Sequence, residues 1–304
     1  MTLRHQSVAK QTTRSGSTLP ELIVALALFG IVGMACLRAL SVSARWYERA
    51  TLVVEQHAQI DAARRLLLTL PAAAAPADGD LLTLGDSSVT WMATVGAAVV
   101  CHTAAGSALL TRAPLTSGVD LSSFASTPQP GDALLVLDDG PTPSPTDDRW
   151  ITHTILAMHS SVGGCVGGPL ANPVADASTP AWRVDVAPPI SASDSGAPTR
   201  ILRPQRLALY TSSGEWMLGF TETNGPSGWA TIQPAAGPLS SATLPAPGLH
   251  LQWLDTLMAP TTTSVSAIGV TLRAPTRRAV RGLHRGAVIL VDSLGFTVAL
   301  HNRL

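Results

Sequence analysis

Between Gly16 and Leu40 the chain reads GSTLPELIVALALFGIVGMACLRAL, an apolar run with a single acid, Glu21, at its entrance. No other feature of the 304 residues constrains the fold so tightly. From Leu22 to Leu37 nothing charged interrupts it. With Leu40 and Val42 it reaches the roughly 20 residues that cross a hydrocarbon layer about 30 Å thick as a helix. Apolar surface of that extent must be covered by lipid or protein. Arg38 stands near the far end, where a long side chain can reach back to the interface. Residues 1–16 carry Arg4, His5, Lys10 and Arg14 and no acid. Basic residues before a span place the N-terminus in the cytoplasm, so everything after about residue 44 is expected outside the membrane.

Beyond the span the pattern changes. Trp46, Ala50, Val53, His57, Ile60, Ala63 and Leu67 recur at spacings of three and four, with Glu48, Arg49, Glu55, Gln56, Gln59 and Arg65 largely elsewhere. This spacing predicts an amphipathic helix over 45–70, continuous with the span and ended by Pro71 and the following Ala/Pro/Asp/Gly tract. His57 lies on the stripe and reads as a packed core histidine rather than a ligand. At 1.5 Å per residue, a helix from Thr18 to Leu70 is about 80 Å long.

From residue 80 onward, short β-prone runs alternate with Pro/Gly/Ser-rich connections, which predicts a β-rich head and an α+β fold overall. Candidate strands are 89–95, 99–102, 133–137, 150–158, 183–186, 207–211, 216–220, 249–254, 265–273, 287–291 and 296–301. Within 265–273, Ile268, Val270 and Leu272 alternate with Gly269, Thr271 and Arg273, as in a half-buried strand. Residues 200–220 read as a hairpin turning at 212–215. The connections are 138–148, 163–180, 188–198 and 224–247.

Three ways of processing the N-terminus compete. A secretory signal peptide would end at a small-x-small site such as Val42-Ser43-Ala44, and a lipoprotein would retain Cys36 as its first residue. The signal-peptide cut would free an amphipathic helix with nothing to hold. The third reading accounts for more residues. Gly16-Ser17-Thr18-Leu19-Pro20-Glu21 closely resembles the cleavage motif of type IV prepilins. The resemblance implies a cut between Gly16 and Ser17, N-methylation of Ser17, and Glu21 as the fifth residue of the mature chain. Ser17 stands where that motif most often has Phe. The glycine would serve peptidase recognition. Glu21 would pair with a neighbouring subunit's terminal amine and set the register of assembly. An ionised carboxylate at the centre of a membrane-spanning helix costs about 2.5–3.5 kcal/mol, so a buried Glu21 needs such a cationic partner. Thr18 to Glu21 also has the form of a helix-capping box, with Pro tolerated in the first turn.

The C-terminal segments IGVTLRA (268–274) and DSLGFTVALHNRL (292–304) resemble the tail of minor pilins of the PilW type, with His301 where an Arg is expected. Minor pseudopilins of the GspJ type share the overall plan. The resemblance implies a pilin-like architecture: a cleaved leader (1–16), a transmembrane half-helix (17–44), an amphipathic half-helix (45–70) and an extracytoplasmic head (71–304). It implies a minor subunit of a type IV pilus that takes part in assembly at or near the tip, with a type II secretion pseudopilus as the alternative. The implied location is the bacterial inner membrane, head in the periplasm, followed by incorporation into a filament. The implied partners are the prepilin peptidase, other major and minor pilins or pseudopilins along the helix, and the inner-membrane assembly platform.

Two of the three cysteines, Cys101 and Cys165, lie in the head, and in an exported domain they read as one disulfide or as two buried thiols. Little else suggests chemistry. Lys10 is the only lysine, so no Walker, Schiff-base or Ser-x-x-Lys lysine exists beyond it. Zero net charge gives no basic footprint for nucleic acid. Asp138-Asp139-Gly140 and Asp147-Asp148 flank a proline-rich loop but lack the ligand order of a calcium loop, and read as a solvated turn. His153, His159 and Cys165 match no zinc spacing. The glycines around Cys165 do not form a dinucleotide fingerprint. No cofactor, metal or catalytic constellation is expected, and a membrane-anchored periplasmic binding protein or enzyme is the remaining alternative.

Overall fold

The computed structural model describes residues 18–69, 80–104, 106–115, 118, 120–142, 147–163, 165–166, 170–191, 194–243, 245–263, 265–281 and 287–300. The expected leader (1–16) with Ser17, the 70–79 tract, and His301 with the last three residues lie outside them. The chain is α+β, with one long apolar N-terminal helix and a large β-rich head.

Helix α1 (Leu19–Thr69) runs without a break for 51 residues, about 77 Å. Gln56, Ile60, Ala63 and Leu67 are its buried residues. Their spacing of four, three and four keeps them on one face. That seam differs from the expected stripe. Trp46 and Ala50 are exposed, and Gln56 rather than His57 turns inward. A buried amide is acceptable because it has partners: Gln56 Nε2 donates to the carbonyls of Ala274 (2.5 Å) and Leu290 (3.4 Å). His57 is not a core residue. Its Nε2 lies 2.9 Å from Asp292 Oδ2, with the His57 side chain 60% exposed.

The head strands are β1 (Leu81–Gly85), β2 (Ser88–Ala104), β3 (Ser107–Thr111), β4 (Ser123–Phe124), β5 (Ala133–Asp138), β6 (Arg149–Val162), β7 (Pro180–Ala187) and β8 (Pro198–Ser212). They continue with β9 (Glu215–Glu222), β10 (Gln233–Leu239), β11 (Leu249–Leu254), β12 (Ala267–Pro275), β13 (Val280–Arg281), β14 (Ala287–Val288) and β15 (Val291–Ala299). The runs expected at 89–95 and 99–102 are one strand, β2. It pairs with β8 from Ser88↔Ala208 to Val99↔Pro198, slipping register between Thr94 and Gly96. The slip coincides with a close crossing. A Cβ on Gly96 would collide with the Phe124 ring of β4 and the Ser123 carbonyl.

These two long strands each change partner on their other edge. The upper part of β2 pairs with β3, and β3 with β7, β7 with β6, β6 with β5, β5 with β8, which returns to β2. Six antiparallel strands therefore close a ring. Its interior is filled by Val100, Leu110, Leu134, Ile155, Val184 and Ile201, each fully buried. The opposite ends of β2 and β8 leave the ring and join β1, β9 and β10 in an open sheet. A second sheet, β11-β12-β15, and the last turns of α1 cover it. Trp91, Leu207, Leu218, Leu249 and Leu272 form this second core with Ile60, Ala63 and Leu67. Among the described residues the head thus has two large cores, and only one of them contains helix residues.

Other departures from the sequence reading have local causes. The stretch 224–247, expected as a connection, contains β10, whose QPAAGPL sequence has two prolines. It is tolerated because β10 is the last strand of its sheet and pairs with β9 alone. The run 287–291 is divided, β14 pairing with β13 while Val291 opens β15 against Pro275. β15 begins earlier than the expected 296. The hairpin at 212–215 is present, with Ser213 (φ 52°) and Gly214 (φ 83°) both left-handed, as a two-residue turn requires.

Candidate functional site

The stretch of α1 from Leu19 to Thr51 carries almost nothing of the head. From Thr18 to Thr51 every residue is exposed except half-buried Gly33. Leu22, Ile23, Leu26, Phe29, Ile31 and Leu37 are each more than half exposed, Phe29 to 82%. A helix apolar on all sides has no aqueous face, unlike the seam at Gln56–Leu67. It is the one helix among the described residues long and apolar enough to cross a membrane. Glu21 lies in its first turn, and its Oε2 accepts the Thr18 backbone N–H at 3.3 Å, closing half of a capping box. The Leu22 N–H meets the Thr18 carbonyl at 3.1 Å, which makes Thr18 the N-cap. Gly16 and Ser17, the junction singled out in the sequence, lie outside the described residues. Cys36 is an exposed free thiol on this helix.

In the head, Cys101 of β2 and Cys165 of the loop after β6 are bonded, with Cα atoms 4.7 Å apart. Leu115 and Ala181 pack against them in a small third cluster. The bridge ties that loop to the ring wall, a 64-residue separation. His153 is buried, and its Nδ1–H donates to the Pro188 carbonyl at 2.7 Å. His159 is on the surface, 3.8 Å from Asp185. Those two histidines and Cys165 are not brought together, and no group of three or more His, Cys, Asp or Glu is gathered for a metal among the described residues.

At the acidic loop, Asp147 accepts from the Thr142 hydroxyl (2.7 Å) and N–H (3.0 Å), which holds its carboxyl below the ordinary aspartate range. Asp148 is pushed up by partial desolvation, then by repulsion from Asp139, Asp147 and Asp138. Asp138 is engaged by Arg149 at 3.2 Å. Two clefts on the head surface, of about 560 and 660 Å³, are bordered by His250 and Trp253 and by Trp150 and Arg200 respectively.

One ionic feature carries no signal in the sequence. Arg203, 6% exposed, forks onto Asp132, 1% exposed, through Nε (2.8 Å) and a terminal nitrogen (2.9 Å). The carboxylate beside it raises the Arg203 pKa, and the Thr127 carbonyl accepts a further bond at 3.0 Å. Arg203 lies on β8 just past Leu202, the last residue paired with β5, and two residues before Gln205, the first paired with β9. The pair therefore stands at the junction of the two cores. A buried arginine has no periodic signature, and Asp132 is 71 residues away in sequence.

No protein-family model, curated protein or solved structure matches the chain.

Proposed function

We propose that this chain is a minor pilin-like structural subunit, inserted in the bacterial inner membrane with its head in the periplasm and co-assembled with related subunits through α1. One observation supports this reading above the rest. A single unbroken helix is anchored in the head by its last turns, while its apolar run from Leu19 to Val42 stands exposed around its circumference. Such a segment is suited first to lipid and then to other helices of its kind. Cleavage at Gly16-Ser17 by a prepilin peptidase would put Glu21 one turn from a new amine. In a staggered bundle, a neighbour's terminal amine would neutralise that carboxylate.

Intact mass and N-terminal peptide mapping of the protein from its native membrane test the cleavage. A chain that starts at N-methylated Ser17 supports the reading; a start at Arg45 or a lipidated Cys36 ends it. Glu21→Ala is expected to leave cleavage intact and abolish incorporation into filaments. Unchanged incorporation would sink the register role. Loss of secreted protein without loss of surface pili, on deletion, would move the subunit to a type II secretion pseudopilus.

A further inference from the structure

We propose that residues 276–281 and 287–290, in the excursion between β12 and β15, seat the head on an anionic phospholipid surface beside the emerging helix. This rests on the reading of α1 as a membrane-crossing helix.

The excursion leaves and re-enters the sheet at one level. Its neck is closed by Thr276 N–H to the Leu290 carbonyl (2.8 Å) and Leu290 N–H to Thr276 Oγ1 (3.2 Å). Gln56 holds both sides through the Ala274 and Leu290 carbonyls. From there the chain descends along α1. Val280, 7% exposed, borders a small gap with Arg45, Glu48, Arg49 and Leu52, and pairs with Val288. From Gln56 back to Arg45 is a helical distance of about 16 Å, all of it toward the apolar run.

Helix arithmetic places this contact at the membrane surface. A span of about 20 residues counted from Leu22 leaves the hydrocarbon near Ser41. The polar headgroup layer adds roughly 5–8 Å, or four to five residues, which reaches Arg45 and Trp46. Trp46 and Tyr47 are 54% and 78% exposed there, the residue types that favour a lipid–water boundary.

The chemistry facing that level suits anionic lipid. Arg277 and Arg278 are exposed, as are Arg45 and Arg49 on the helix. No acid occurs between Ala274 and Val291. Glu48 is the one carboxylate at the contact with Val280. Asp292, just above, is engaged by His57 at 2.9 Å. Val288, Ile289 and Val291 are 57%, 55% and 58% exposed on the same excursion and its exit. Arginines interleaved with bare aliphatics and flanked by Trp and Tyr match an interface-seated segment, with phosphates to meet the charge and acyl boundary to meet the Val and Ile side chains.

The test uses the full chain with Cys36→Ser and a fluorophore on Ala279→Cys, in vesicles of phosphatidylcholine alone or mixed equally with phosphatidylglycerol. Headgroup-nitroxide lipids report proximity of the label to the surface. Strong quenching is expected in the anionic vesicles and little in the neutral ones. It should be lost in roughly 1 M salt, where the Debye length is about 3 Å. Each arginine near such a surface strengthens attachment about fivefold, so Arg277→Glu with Arg278→Glu is expected to shift the docked-to-free ratio at least about 25-fold. Both side chains are exposed, and the salt titration of the unsubstituted positions gives a readout independent of any variant. A second label on Phe29→Cys, read with acyl-chain nitroxides, reports the span. An unquenched Phe29 label overturns the membrane reading and this inference together. A quenched Phe29 label with an unquenched Ala279 label, or with Ala279 quenching indifferent to lipid charge and salt, overturns the docking alone.

Discussion

Arg203 and Asp132 show how differently two arginine–aspartate pairs of one protein act. Both partners are almost wholly buried, so removing one leaves a charge in a low-dielectric site, which typically costs about 3–5 kcal/mol. Glu222, 3.5 Å from Arg203 and 41% exposed, offers partial compensation. Asp132→Ala is therefore expected to destabilise the head by about 3 kcal/mol in urea unfolding. Arg149→Ala, which breaks a pair whose arginine is 74% exposed, should cost less than about 1 kcal/mol. Equal effects would show that burial does not govern these pairs. The Arg203 pKa is raised, so its contribution is fully present below the ordinary arginine value and lost only as pH rises through the higher folded one. Ordinary assay pH leaves it untouched. The acidic loop responds at the other extreme. Asp147 lies below the usual 3.8, so what its Thr142 bonds contribute is present above that value and lost as pH falls through the lower folded one. Asp148 is raised, and takes up its proton above 3.8 as pH falls. Carboxyl NMR titration should place Asp147 below Asp148, and Thr142→Ala should raise the Asp147 midpoint toward the ordinary value. The reverse order would contradict the hydrogen-bond assignment.

The elements differ in how plainly they are written in the chain. The long helix and β11 follow from pattern alone, since a charge-free run and an alternation in which Leu249 and Leu251 are buried while His250 and Gln252 are exposed have few other solutions. What escapes the pattern has tertiary causes. β2 reads as two strands because Gly96 and Ala97 interrupt its β-branched runs, yet that interruption is where β4 crosses and the partners change. β10 is hidden by its prolines. Gln56 rather than His57 turns inward, where its amide reaches the Ala274 and Leu290 carbonyls. At the candidate site, Glu21 and the apolar run are legible, while the surface formed by Val280 and the helix depends on a contact between the two ends of the chain. The disulfide is visible only as one of two options for its cysteines, since nothing in the spacing brings residue 165 to β2. Its removal has a definite expected effect. Closing a 64-residue loop restricts the unfolded chain by about 4 kcal/mol in the chain-entropy model. Cys101→Ser with Cys165→Ser is expected to destabilise the head by about 2–5 kcal/mol. Calorimetry of the double variant, with the loss of the same transition on reduction of the parent, measures it. An unchanged midpoint would mean the loop is held by Leu115 and its neighbours without the bond.

The chain divides its helix between a part packed into the head and a part left exposed. The last turns belong to the head: Ile60 and Leu67 are 4% and 1% exposed, and Ala63 is fully buried. Each large aliphatic buried in this way contributes about 1.5–3 kcal/mol, so the seam as a unit contributes on the order of 4–8 kcal/mol. Domains of this kind are stable by only about 5–15 kcal/mol, which makes the seam close to decisive. The apolar run before it contributes no burial within the chain and stands exposed with Leu19, Phe29 and Leu40 bare. Two truncations separate these roles. A chain that begins at Arg45 keeps the whole seam and sheds the apolar run; it is expected to be a soluble, cooperatively folding monomer by light scattering and thermal melting. A chain that begins at Asp80 keeps every strand yet uncovers Leu249, Leu272 and their neighbours. It should aggregate or unfold without a sharp transition. The helical stretch from Arg45 to Thr69, present only in the longer chain, is marginal as an isolated helix in water, because most helical stability in proteins comes from packing. Supplied as a separate peptide, it restores the fold only if the groove for Ile60 and Leu67 survives without it. A soluble, sharply melting chain from Asp80 would show that the head folds independently of α1. The helix would then be a tether rather than part of the core.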